Sequence, residues 1–324
     1  MSGWKRMLAV LLVGGTVMAA SAWAAPKFIS IATGGTGGAY FPIGAGLADV
    51  INKKLNGYNA SAEVTAASKV NCINVNDGKS DLAFVLGDTL SYAYRGDKLG
   101  GFNKPLTNIR VLAAIYHNTI QIVARKDSGI TTLSDLKGKK VSVGAPGSGT
   151  EINARQIFAA AGMSYKDFGR TDYLSFSESA DQMKNRAIDA TLMSSGLPNP
   201  GIMDIATSVD ITIVPIEGEL LKKLDKDSPF FIPTVIPKGT YKGQDHDVSS
   251  VGIPNFLIVR ADLDDQTVYE ITKAMFENLD RLVQAHAAAK GISLANATAG
   301  LPVPLHPGAA RYYREKAVLA ATPK

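Results

Sequence analysis

The sequence predicts an α/β protein of two lobes, and three observations carry that prediction. Two glycine-rich loops, Gly34-Gly35-Thr36-Gly37-Gly38 and Gly144-Ala145-Pro146-Gly147-Ser148-Gly149-Thr150, lie about one lobe apart, each after a short apolar strand and ahead of an amphipathic helix. The order strand–loop–helix–helix–strand around them repeats with similar spacing, 45 residues from Thr36 to Asp81 and 41 from Ser148 to Asp189. Two apolar runs, 108–124 and Val248 to Val259, are long for single strands, and long strands suit a chain that crosses twice between lobes. A glycine loop opening a helix presents unpaired N–H groups and the positive end of the helix dipole, which is an anion-binding device. Two such devices in similar surroundings point to two lobes closing on one small acidic ligand.

The elements follow in order. Phe28–Ala32 reads as a strand and Pro42–Leu55 as a helix, with Pro42 at a first-turn position that tolerates it. A helix over about 70–79 leads into the buried strand 81–85. In the second unit, 140–143 is the strand, and the helix 151–161 places Ala154, Ile157, Phe158 and Ala161 on one apolar face. A helix over about 177–186 leads into the strand 189–193. Residues 215–247, with Pro215, Pro229, Pro233 and Pro237, read as irregular, and helices follow at about 264–289 and 307–320. Parallel sheets with short crossovers fit this pattern.

The first two dozen residues read as a removable leader. Lys5 and Arg6 form a basic start, Met7–Ala20 is apolar, and Ala22-Trp23-Ala24 is a small-x-small cleavage site. That apolar run is shorter than the roughly 20 residues a membrane span needs. The mature protein is therefore expected to be exported and soluble. The whole chain has 34 Lys+Arg against 29 Asp+Glu, a net charge of +5, and loses two of those positive charges with Lys5 and Arg6. The charges are scattered, so no nucleic-acid stripe is formed. Cys72 is the single cysteine, which excludes an internal disulfide, and its apolar helical setting reads as a buried core thiol.

Several chemistries are disfavoured. Gly144-x4-Gly149 has the frame of a P-loop, but Thr150 stands where the phosphate-binding lysine must be. Tyr40 occupies the third-glycine position of a dinucleotide fingerprint. Ser148 lacks the first glycine of a nucleophile elbow. His117, His246, His286 and His306 have no paired ligand spacing, so no metal or cofactor is expected. Ser68, Asn71 and Asp88 fall at strand ends or helix starts, where open α/β sheets bind ligands, although each also suits an ordinary cap or turn.

At four segments the chain resembles the TAXI-type extracytoplasmic solute receptors of TRAP (tripartite ATP-independent periplasmic) transporters. They are 31–44 (IATGGTGGAYFPIG), Leu133-x-Asp135-Leu136-Lys137-Gly138-Lys139-Lys140-Val141, 143–151 (VGAPGSGTE) and 304–313 (PLHPGAARYY). The resemblance implies a two-lobed periplasmic-binding-protein fold, type II-like, with two crossing strands: lobe I from 25–118 plus 252–324, and lobe II from 119–251, after a 1–24 signal peptide. It implies a monomeric, non-enzymatic periplasmic receptor. Its solute is a small carboxylate, such as glutamate, 2-oxoglutarate or a related dicarboxylate, delivered to a TRAP permease. Carried over by motif, the ligand shell includes Thr36, Gly37 and Tyr40; Ser68 and Asn71 of a Ser-x-x-Asn box; Asp88; and Gly147, Ser148, Gly149 and Thr150. The chain departs from the family at Ala66-Ala67, where glycines are usual, and at Lys69, where an apolar residue is usual. Lys69 is either a solvated lysine or a contact for a distal carboxylate. A receptor for another solute class, and an exported enzyme or sensor partner, are the rival readings.

Overall fold

The computed structural model describes residues 26–319; the leader read from residues 1–24 lies outside them. The chain begins β1 (Lys27–Ala32), α1 (Tyr40–Lys54), β2 (Tyr58–Glu63), α2 (Ser68–Asn76), β3 (Leu82–Leu86) and α3 (Gly87–Arg95). The long β4 (Ile109–Arg125) follows, then β5 (Lys140–Ser142), α4 (Gly149–Ala160), β6 (Arg170–Asp172), α5 (Phe176–Lys184) and β7 (Ala190–Ser195). Next come α6 (Pro200–Ser208), β8 (Ile211–Val214), α7 (Gly218–Asp227) and β9 (Ile232–Ile236). The second long strand, β10 (Val248–Arg260), returns to α8 (Asp265–Phe276), α9 (Leu279–Ala285) and α10 (Pro307–Glu315).

One sheet runs through the molecule in the order β2-β1-β3-β10-β4-β7-β5-β6, with β8 paired to β4 and β9 to β10. The strands β1, β2 and β3 are parallel, as are β5, β6 and β7, while β4 and β10 run antiparallel to their neighbours. Both long strands serve two lobes. The 256–260 half of β10 pairs β3 and the start of β4, whereas its 248–252 half pairs β9. Residues 119–124 of β4 pair β7. The two strands cross at Gly252↔Thr119, Ile253↔Asn118 and Pro254↔His117, next to a register shift.

Alternation along each strand places helices on both faces. In β3, Leu82 and Phe84 face a core with Ile43, Leu47 and Tyr313, while Ala83 and Val85 face one with Cys72, Val75 and Leu90. In the second lobe, Leu192 packs with Ile157 and Phe158, and Met193 with Ile202 and Ile205. Cys72 is fully buried in the first of these lobes, as its setting suggests, and burial pushes its thiol up.

Several elements differ from the sequence reading. The stretch 215–247 is not irregular throughout: it contains α7 and β9. Edge strand β2 and helices α3 and α6 were hidden, β2 because it reads Tyr-Asn-Ala-Ser-Ala-Glu without an apolar run. The helix read over 264–289 breaks at Glu277 and Asn278 into α8 and α9.

Ala67, which precedes α2, has φ 70° and ψ −149°, a conformation that suits glycine. Its cost is about 1–3 kcal/mol. Replacing Ala67 with Gly relieves it but returns roughly 0.5–1 kcal/mol of unfolded-chain entropy. Ala67→Gly is therefore expected to raise the urea midpoint at constant m-value, by about 1 kcal/mol in stability. An unchanged or lower midpoint contradicts the strain.

Candidate functional site

A cavity lies between the lobes where the chain crosses. It holds about 60 Å³ of space open to water-sized spheres, and a single water needs about 10–15 Å³ by that measure. The wall is built from helix starts. It includes Ala39 and Tyr40 of α1, Ala67 and Ser68 of α2, Leu86 ahead of α3, Ser148, Gly149 and Thr150 of α4, and Ser175 and Phe176 of α5. The sheet supplies Asn118, Ser194 and Ser195. No Asp, Glu, Lys, Arg or His lines the cavity among the described residues.

The hydroxyls are set as donors. Ser148 Oγ caps α4 by accepting from Glu151 N–H at 3.1 Å, and Ser175 Oγ caps α5 by accepting from Glu178 N–H at 3.3 Å. Ser68 Oγ accepts from Leu86 N–H at 3.1 Å, and Ser195 Oγ from Ala39 N–H at 3.3 Å. Each oxygen already receives a backbone N–H, so its own O–H remains to donate. Ser194 Oγ is buried without a protein partner. First-turn N–H groups of the converging helices add further donors and a positive dipole end. The arrangement favours a compact group rich in acceptors.

Tyr40 is fixed from behind. Its hydroxyl donates to Asn255 Oδ1 at 2.6 Å; Asn255 Nδ2 donates to Asn118 Oδ1 at 2.7 Å; Asn118 Nδ2 donates to the Ser194 carbonyl at 2.8 Å. Both asparagines sit on the crossing strands, so this chain of bonds spans β10, β4 and β7. Burial raises the Tyr40 phenol far out of its titration range, keeping it neutral.

Of the residues singled out in the sequence, Tyr40, Ser68, Ser148, Gly149 and Thr150 come together on the cavity wall. Thr36, Gly37 and Gly147 lie instead in the contact between lobes. Thr36 Oγ1 is 3.4 Å from Ser177 Oγ, the Gly37 carbonyl accepts from Gly201 N–H at 3.1 Å, and the Gly147 carbonyl accepts from Val70 N–H at 3.3 Å. Asn71 is a scaffold amide: its Nδ2 donates to the carbonyls of Thr33 and Phe84 at 2.7 and 2.8 Å, and its Oδ1 accepts from Thr65. Asp88 is buried away from the wall and faces α4. Lys69 turns from the cavity, with Nζ 5.6 Å from the Phe102 ring centroid. Sequence reasoning missed Thr65, Asn118, Ser175, Phe176, Ser194 and Ser195, which share no motif; the pairing of β4 with β7 brings Asn118 to Ser194 and Ser195.

The described residues contain no cluster of three or more metal-ligating side chains and no helix long and apolar enough to cross a membrane. Two lobes joined by two crossing strands, with a cavity lined by uncharged residues between them, define the two-lobed fold of periplasmic solute-binding proteins. The chain belongs to the NMT1-like family, which matches residues 31–317. Among solved structures it is similar to PhnD1 from Prochlorococcus marinus (MIT 9301) in complex with methylphosphonate, at a TM-score of 0.55 and 12% identity, covering 91% of this chain and 100% of that one. A protein of Bordetella bronchiseptica RB50 gives a TM-score of 0.53 at 20% identity, covering 91% and 90%. The alkanesulfonate-binding protein SsuA from Xanthomonas axonopodis pv. citri, bound to MOPS, gives 0.46 at 13% identity, covering 90% and 84%. The two-lobed fold that the sequence resemblance implies is thus the fold found; the TAXI affiliation is finer than the NMT1-like match.

The lobes close tightly at Gly149, where an added Cβ would lie 2.6 Å from Leu86 Cδ1 and 2.8 Å from Ser68 Oγ across the cleft. Gly149→Ala suits a helix start, so stability should stay within about 0.5 kcal/mol while the lobes are held apart. Ligand affinity is expected to fall at least tenfold, read by calorimetry beside a denaturation curve. Wild-type affinity in a folded variant would show that closure at Gly149 does not matter.

Proposed function

We propose that this protein is an exported receptor that captures a small carboxylate lacking an ammonium group and delivers it to a TRAP-type permease. Its lobes are 25–118 plus 252–324 and 119–251, and closure buries the solute between them. The observation that carries this reading is the cavity wall: helix starts and serine hydroxyls whose O–H groups are free to donate, with neither fixed cation nor carboxylate. An oxyanion gains charge-assisted bonds there, about 1.5–3 kcal/mol each. An α-ammonium would be buried without a carboxylate to pair with, which is costly. Within the solutes implied by the sequence resemblance, this favours 2-oxoglutarate or a related oxoacid over glutamate. The TRAP permease is supported by the four resembling segments; the fold neighbour holding methylphosphonate shows that protein, of the same fold, taking an oxyanion.

Ligand-stripped mature protein titrated with 2-oxoglutarate, glutamate, methylphosphonate and ethanesulfonate tests the reading. 2-Oxoglutarate is expected to bind, and glutamate at least tenfold more weakly. Ser194→Ala should weaken 2-oxoglutarate binding by about 1–2 kcal/mol, a lost donor, while leaving the free protein as stable or slightly more so. Binding of the phosphonate or sulfonate alone would move the solute to tetrahedral oxyanions, and no binding at all would sink the anion reading. Uptake in cells that survives ATP depletion but fails when the ion gradient collapses supports the permease assignment; the reverse result removes it.

A further inference from the structure

Asp88 is the one site residue of the sequence reading that bridges the lobes through a carboxylate. It follows β3 at the start of α3 and is 1% exposed. Its Oδ1 accepts from Thr89 N–H at 2.6 Å and from Thr89 Oγ1 at 3.2 Å. Its Oδ2 accepts from Asn153 Nδ2 at 2.7 Å and Gln156 Nε2 at 3.3 Å, both on α4 of the other lobe. Gln156 is held in turn by Tyr92, whose hydroxyl donates to Gln156 Oε1 at 3.2 Å. Asn153 Oδ1 is buried with no partner, so the pair lacks one proton donor.

We infer that Asp88 is a positioning residue for ligand binding: it latches the closed cleft through Asn153 and Gln156, and closure takes up a proton there. The inference rests on the closing-receptor reading above.

The proton linkage follows from the surroundings. Burial raises the Asp88 carboxyl from its usual 3.8 to about 6, against the lowering pull of the Thr89, Gln156 and Asn153 hydrogen bonds. No cation offsets this burial. The helices around Asp88 present Tyr40 from α1, Cys72 from α2 and Tyr92 from α3. Burial pushes all three up, Tyr92 to about 12, so none titrates between pH 5 and 8. On α4, Arg155 turns to Glu151 at 2.8 Å; on α3, Arg95 turns to Ser91 at 2.7 Å. In an open cleft Asp88 meets water and its carboxyl returns toward the ordinary value. The closed form therefore binds the proton more tightly, and falling pH favours closure.

The test measures 2-oxoglutarate affinity and the ligand-free radius of gyration by small-angle scattering at pH 8 and pH 5.5, a range in which the acid stays largely ionised. The wild type is expected to bind about fourfold more tightly at pH 5.5, the ratio given by a closed-state value near 6, and to be more compact there without ligand. Asp88→Asn should lose both differences, because an amide neither ionises nor takes up the proton. Gln156→Glu places a second carboxylate against Asp88 and should steepen both. Equal wild-type values at the two pH values, or an undiminished slope in Asp88→Asn, overturn the latch. Where Asp88→Asn fails to fold, Gln156→Glu decides, and an unchanged slope in it overturns the latch. If 2-oxoglutarate binds at neither pH, the solute reading fails and the ligand-free scattering alone judges the latch.

Discussion

Closing the cleft strips water from the first turns of helices that begin at one cavity, and the rest of the site depends on what replaces that water. A buried N–H without an acceptor costs about 1–3 kcal/mol. Some of these groups are satisfied from within: Ser148, Ser175, Ser68 and Ser195 accept from Glu151, Glu178, Leu86 and Ala39. The serines thereby pass the demand on, because each keeps its O–H to donate into the cavity. A ligand with several acceptor atoms would answer the remainder without any cation in the wall, which is the physical basis of the proposed preference for an anion.

That geometry is set by the sheet. Every wall helix springs from a loop next to a strand end, and those strands belong to one sheet whose centre is β4 and β10, which serve both lobes. Tyr40, Asn255, Asn118 and the Ser194 carbonyl form an unbroken run of hydrogen bonds across those two strands. Asn118 and Asn255 are both buried, so the crossing itself carries polar groups that are satisfied only when α1, β4, β7 and β10 are all in place. Hinge and wall thus share residues, and a change in one is felt in the other.

Much of this was legible in the residues. The glycine loops, the repeated order of elements and the two long apolar runs gave the lobes and the crossing, because periodicity and turn chemistry are local. Tyr40, Ser68, Ser148, Gly149 and Thr150 were legible because they sit at helix starts. Asn118 and Ser194 were not: their meeting depends on the antiparallel pairing of β4 and β7, separated by more than 70 residues. Lys69 illustrates the converse limit. Its neighbour in sequence, Ser68, lines the cavity, yet one helical step rotates a side chain by about 100°, which carries its amine to Phe102. Asn71, three residues after Ser68, points back inward but into the scaffold, where Thr33, Phe84 and Thr65 use its hydrogen-bonding groups.

The glycines divide the same way. The resembling motifs assign Gly37, Gly147 and Gly149 to one ligand-binding task, but the lobes meet at all three. A Cβ on Gly37 would lie 2.8 Å from Ser177 Oγ, and one on Gly147 3.0 Å from Val70 Cγ2. Their missing side chains let backbone from one lobe approach the other within hydrogen-bonding distance, as the Gly37–Gly201 and Gly147–Val70 bonds show. Glycine loops in this fold therefore act at two ranges. Their helix starts present donors to the cavity, and their turns make the lobe surfaces close enough for those donors to converge. Ala67 holds a backbone conformation that suits glycine and lines the cavity wall, so its side chain takes space there that a glycine would leave open.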